Sequence, residues 1–114
     1  MRNLIISSLS FLVGASAWAA GSVSVATHRI DLNLRLYEVC GVVTGFPDNS
    51  NLPVDIVVDP GKYAGHYVTH TSADGKFCQI ARVMGNSYEV VIPSVNSRIK
   101  VQAKDGATAT STAN

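Results

Sequence analysis

His66 and His70 stand four positions apart in the chain. On a helix that spacing presents two imidazoles to one metal ion. Tyr67, Val68 and Thr69 between them favour a strand, where four residues span roughly 13 Å, too far for two ligands of one ion. The two histidines therefore read as part of an exposed polar face. Asp55 and Asp59 share parity in the same way and suggest a carboxylate pair for acid–base work. Their position beside a turn fits a solvated strand face better. Cys40 and Cys78 are the only cysteines. They form either a disulfide or a reactive or metal-binding thiol pair. A structural metal site needs four convergent ligands, and no short ligand spacing supplies them. A disulfide across a separation of 38 positions stabilises by roughly 4 kcal/mol in the chain-entropy picture. Nucleophilic catalysis needs a base held against an activated Ser or Cys, and the serines fall in the N-terminal run, in loops and in the tail. There is no Gly-x-Ser-x-Gly, no phosphate loop and no His-Glu-x-x-His. No catalytic residue, cofactor or metal is expected. The remaining group is Lys62, Tyr63, His66, Tyr67 and His70, on or beside the loop that leads to the central turn. Exposed aromatics on a loop suit a binding surface. The competing reading makes Tyr67 core and packs Tyr63 onto its loop.

The elements that position these residues begin after a leader. Met1-Arg2-Asn3 is a short basic start, Leu4 to Gly14 is apolar with serines, and Ala17-Trp18-Ala19 ends in small residues at −3 and −1. This is the layout of a secretory signal peptide over residues 1–19, with the mature chain starting at Ala20. The alternative, an N-terminal membrane anchor, needs 18 or more consecutive apolar residues. No cysteine precedes Cys40, which excludes lipidation at the cleavage point. Removing the leader also removes Arg2, one of nine basic residues against eight acidic ones. A charge near zero leaves no footprint for nucleic acid or an anionic membrane. The 114-residue chain then holds one small domain, and an oxidising compartment suits a disulfide staple.

Residues 20–27 are small and polar and read as a loose N-terminal segment. Ile30, Leu32, Leu34 and Leu36 then alternate with Arg29, Asp31, Asn33 and Arg35, a period of two that marks a half-buried strand. The phase breaks at Glu38, so residues 40–45 are a new strand or a continuation past a bulge. Phe46 to Asn51 is loop chemistry. Pro53 opens a strand in which Val54, Ile56 and Val58 alternate. Further strands follow from near Gly65 to Thr71, from Lys76 to Val83, over Tyr88, Val90 and Ile92, and from Arg98 to Ala103. Asp74-Gly75 is a tight-turn dipeptide between two β-rich runs and predicts a hairpin. Residues 105–114 carry too little apolar content to order themselves and read as a flexible tail. About seven short strands without a helix argue for an all-β antiparallel sandwich over residues 28–104, with a small closed barrel as the alternative.

Several of these segments together resemble a known family. They are the Gly41-Val42-Val43-Thr44-Gly45 strand, the Leu52-Pro53-Val54-Asp55-Ile56-Val57-Val58 strand, the Thr71 to Phe77 turn and the Gly85-Asn86-Ser87-Tyr88-Glu89-Val90 strand. The pattern is similar to the carboxypeptidase-regulatory-like, or transthyretin-like (prealbumin-like), sandwich domain over about residues 38–93. The resemblance implies that Phe77 and Tyr88 fill the core and that Val54, Ile56, Val90 and Ile92 face one another across the sheets. It implies an accessory, adhesive or structural role outside the cytoplasm. One transthyretin-like branch hydrolyses 5-hydroxyisourate and ends in Tyr-Arg-Gly-Ser. This chain ends in Ser-Thr-Ala-Asn and departs from that branch.

The resulting expectation is an exported, non-enzymatic β-sandwich of the bacterial cell envelope, periplasmic or secreted, that binds a protein or envelope component. It implies no nucleic-acid partner and no stable membrane insertion after leader removal. Two alternatives are an inhibitor of a lysozyme or protease, probing with the loop Asp59–Gly65, and a surface-fibre subunit donating residues 28–36 to a neighbour's sheet. Parity adds a sharper expectation. If Phe77 points inward, Cys78 points outward, and the Cys40–Cys78 bridge lies on an outer face between neighbouring strands.

Overall fold

A computed structural model describes residues 21–58 and 65–112. The leader assigned to residues 1–19 and the turn at Asp59–Lys62 lie outside the described residues. Among the described residues there are eight strands: β1 Ser22–Asp31, β2 Leu36–Thr44, β3 Pro53–Val58, β4 Gly65–His70, β5 Lys76–Arg82, β6 Ser87–Ile92, β7 Ser97–Gln102 and β8 Thr108–Thr112. A single 3₁₀ turn, Pro93–Val95, separates β6 from β7. The strands form two antiparallel four-stranded sheets, one in the order β5-β2-β1-β8 and the other β4-β3-β6-β7. This is the all-β sandwich expected.

The core lies between the sheets and follows strict parity. Val23 and Val25 point inward from β1, Tyr37, Val39 and Val43 from β2, and Phe77 and Ala81 from β5. Val54, Ile56 and Val58 face them from β3, Tyr88, Val90 and Ile92 from β6, and Ile99 and Val101 from β7. Most are β-branched, which suits a pleated surface packed on one side. Phe77 is buried and Cys78 exposed, as parity requires. Cys78 sits directly opposite Cys40 in the β2–β5 ladder. The two are joined with a Cα–Cα distance of 4.1 Å, the close approach of a non-hydrogen-bonded pair. The bridge therefore lies on the outer face, between neighbouring strands.

Three expectations are corrected. Residues 22–27 are not a loose segment but the first part of β1, with Val23, Val25 and Thr27 buried. Their wet-face partners are Ser24 and Ala26, and such small residues mute the alternation. The run from Ile30 to Leu36 is not a strand with leucines inward. β1 ends at Asp31 and the chain reverses over residues 32–35. Arg35 has φ 56°, its N–H bonds to Leu32 O, and Leu34 N–H donates to the Asp31 carboxylate. Inward residues of β1 and β2 have odd numbers, so the even-numbered leucines could not join them. Residues 28–31 pair with residues 36–38 of the same chain, so the proposed donor strand is spent within its own fold. Finally, residues 108–112 are not a flexible tail. They form β8, with Ser22 opposite Thr112 and Ala26 opposite Thr108. Main-chain pairing needs no apolar side chain, and threonine is a good strand former.

The Asp74-Gly75 turn also differs from expectation. It does not join two paired strands, because β4 belongs to one sheet and β5 to the other. Ser72 O accepts from Gly75 N–H, and Ser72 N–H donates to Lys76 O, which closes a tight local loop. On one side, the Thr71 hydroxyl accepts from Leu52 N–H and donates to Asn49 O. On the other, Gly75 O accepts from Val43 N–H. The turn thus carries the chain from one sheet to the next.

One polar link crosses the core. The Thr27 hydroxyl donates to Gln102 O and lies 2.6 Å from the fully buried Tyr88 Oη. Burial holds the Tyr88 phenol above its ordinary value, and the Thr27 hydroxyl offsets this only in part. A raised folded value means that the contribution is complete below about pH 10 and is lost as pH climbs through the folded value. Tyr88→Phe should cost about 1–2 kcal/mol at neutral pH. It should also flatten the fall in stability above about pH 10. Urea unfolding of both proteins at pH 7 and in alkaline buffer checks this. An unchanged alkaline slope would show that Tyr88 is not the group that titrates.

Candidate functional site

The polar-aromatic group expected to form a binding surface is divided by the fold. Lys62 and Tyr63 lie outside the described residues. His66, Tyr67 and His70 are on β4, an edge strand. Successive side chains of a strand face opposite ways. Tyr67 turns inward, packs against the core and accepts the Arg82 N–H through Oη at 3.1 Å. His66 and His70 are exposed on the other face. His66 Nδ1 lies 3.0 Å from both carboxylate oxygens of Asp55, a diagonal neighbour on β3, where Val57 is the direct partner of His66. Asp55 is thus engaged with an imidazole, and its expected carboxylate partner, Asp59, lies outside the described residues. Tyr67 is a packing residue and β4 presents no combined aromatic surface.

The cysteines offer no thiolate. Glu38, Cys40 and Cys78 lie close enough together to suggest ligation, but both sulfurs are in the disulfide. The bridge instead lines an open groove of about 450 Å³ on the outer face of the β5-β2-β1-β8 sheet. Ser24 and Ala26 form its low floor along β1. Val42 and the disulfide stand on one side, and Thr108 and Thr110 on the other. Small side chains on a central strand, flanked by taller rows, make such a furrow.

A different surface stands out at the far end of β1. Leu32 is 58% exposed, Leu34 49% and Ile30 46%. Met84, 58% exposed, follows Val83, whose N–H bonds to Arg35 O beneath the same turn. Ile80 is exposed one step further along, opposite Glu38. The β1–β2 tip therefore carries a group of aliphatic side chains at one end of a stapled sheet. Polar contacts fix its base. Arg29 N–H donates to the Asp105 carboxylate at 2.9 Å, and His28 Nδ1 lies 3.4 Å from the same oxygen. The Arg29 N–H is the main reason that the Asp105 carboxyl is held below its usual range.

The alternation of Ile30, Leu32 and Leu34 predicts the buried face of a strand. One signal pointed the other way. Val23, Val25 and Thr27 share odd parity with Tyr37, Val39 and Val43, and Leu32 and Leu34 do not. Comparison with protein-family models, with curated proteins and with solved structures finds no match to this chain.

Proposed function

We propose that this chain is an exported, non-enzymatic sandwich module of the bacterial cell envelope that holds a protein or envelope component through the β1–β2 tip. The observation that carries the reading is the aliphatic group Ile30, Leu32, Leu34 and Met84, exposed together at one end of the sheet. Exposed apolar patches on a soluble domain mark contact surfaces. The turn that carries Leu32 and Leu34 has its own hydrogen bonds, so little ordering cost is left for binding there. Export is supported by the leader-like residues 1–19 and by the disulfide, which suits an oxidising compartment. No described helix is long and apolar enough to cross a membrane. His28 and His66 lie against Asp105 and Asp55 on separate parts of the surface, so the two imidazoles are not gathered into one site. The resemblance to transthyretin-like domains points the same way.

The test is chemical cross-linking in envelope extract with three proteins: wild type, Leu32→Ser/Leu34→Ser, and Val68→Ser as a control on the exposed face of β4. The expected result is a cross-linked species shared by wild type and the control and absent from the tip variant. Retention of that species by the tip variant, with its thermal unfolding unchanged, would overturn the reading.

A further inference from the structure

The sandwich has four edge strands, β5 and β8 in one sheet and β4 and β7 in the other. An edge is a row of main-chain donors and acceptors that invites another strand, and most proteins guard it. The β5 edge is guarded by its surroundings. Arg82 N–H is taken by Tyr67 Oη, Ile80 O by the Gln79 amide, and Lys76 O by Ser72 N–H. The β7 edge carries Arg98 and Lys100, and Gln102 O is taken by the Thr27 hydroxyl. The β4 edge carries the imidazoles of His66 and His70.

The β8 edge differs. Its five residues, Thr108-Ala109-Thr110-Ser111-Thr112, hold no charge, no proline and no titratable group. Thr27 N–H donates to Ala107 O at the start of this ladder. By the alternation of antiparallel pairing, Ala109 and Ser111 then face β1 with their main-chain groups. Thr108, Thr110 and Thr112 present theirs outward, away from the sheet. The side chains of these threonines lie exposed on the outer face, and Ala109 and Ser111 are half-buried beneath.

We propose that β8 pairs with β8 of a second copy of this chain, antiparallel and two-fold about Thr110, to join two sheets into one. The strand is its own complement under that operation. Thr110 meets Thr110, Thr108 meets Thr112, and Ala109 meets Ser111. Every cross-strand pair is small and uncharged, so no like charges face each other, and threonine pairs favour strand pairing. A two-fold contact also closes on itself and leaves β8 no further edge to extend. The interface is separate from the aliphatic tip, which lies at the other end of β1.

The test uses the chain from Ala20 onward, expressed in an oxidising compartment, and measures mass by light scattering and sedimentation over a concentration series. A concentration-dependent dimer is expected. Thr110→Lys should weaken it at least about tenfold, because two lysines then face each other across the axis. Val68→Lys on the β4 edge and Leu32→Ser/Leu34→Ser at the tip should leave it unchanged. Thr110→Cys should form a disulfide-linked dimer under mild oxidation, which reads the register directly and does not depend on the lysine variant folding. A wild type that stays monomeric up to about 1 mM overturns the proposal. So does a dimer that survives Thr110→Lys, or one that is lost in the β4 or tip variant.

Discussion

Cys40→Ala/Cys78→Ala should lower the stability of the domain by about 3–4 kcal/mol, and its melting temperature by roughly 15–25 °C for a domain of this size. The size of the effect comes from where the bridge lies. It joins directly opposed residues of β2 and β5 on the outer face. Between the two cysteines the chain leaves that sheet, forms β3 and β4 in the opposite sheet, and returns. The bridge therefore closes the excursion that builds the sandwich. Because Cys78 is exposed and Cys40 half-buried, alanine at both sites leaves no cavity in the core. The loss then reports the cross-link rather than packing. Urea unfolding of the variant and of reduced wild type should agree. A difference from oxidised wild type of under about 1 kcal/mol would sink the claim that the bridge is a main stabiliser.

Gly75→Ala should cost about 2–4 kcal/mol, more than the same change at Gly106. The two glycines have nearly the same backbone, φ 80° and φ 81°. An added Cβ at Gly106 meets nothing within 4 Å. At Gly75 it would lie 2.2 Å from Val43 O. That contact cannot relax freely, because Val43 N–H is bonded to Gly75 O at 2.8 Å. Gly106→Ala thus carries only the left-handed penalty of about 1–2 kcal/mol, and the excess at Gly75 measures the clash. Equal costs in urea unfolding would show that the crossover turn tolerates a side chain.

The sequence was legible wherever one face of a strand is apolar and the other polar over several residues. Val54, Ile56, Val58, Val90 and Ile92 announced themselves, and so did the opposed Phe77 and Cys78. It misled at β8, whose side chains are all Ser, Ala or Thr, and at the start of β1, where the same small residues alternate with Val23 and Val25. Such residues look like linker by composition. The aliphatic tip misled for the opposite reason. Its alternation is cleaner than that of the true strand before it, and only the odd parity of Val23, Val25 and the next strand, β2, excludes it from the core. Asp74-Gly75 was right as a turn and wrong as a hairpin. Local sequence specifies a reversal, but which sheet the next strand joins depends on Val43 and Cys40, more than thirty positions away. The tip's exposure, by contrast, follows from the local β1–β2 pairing, in which the inward positions are odd-numbered.

The pairing of Ser22 with Thr112 gives the molecule two poles. The two ends of the described chain leave side by side, and the aliphatic tip lies at the opposite end of β1, roughly 30 Å away for a ten-residue strand. Ser22 and Thr112 therefore mark one pole of the sheet, and the β1–β2 turn marks the other. A label attached at Ser22 or Thr112 should then report on the pole remote from Leu32 and Leu34.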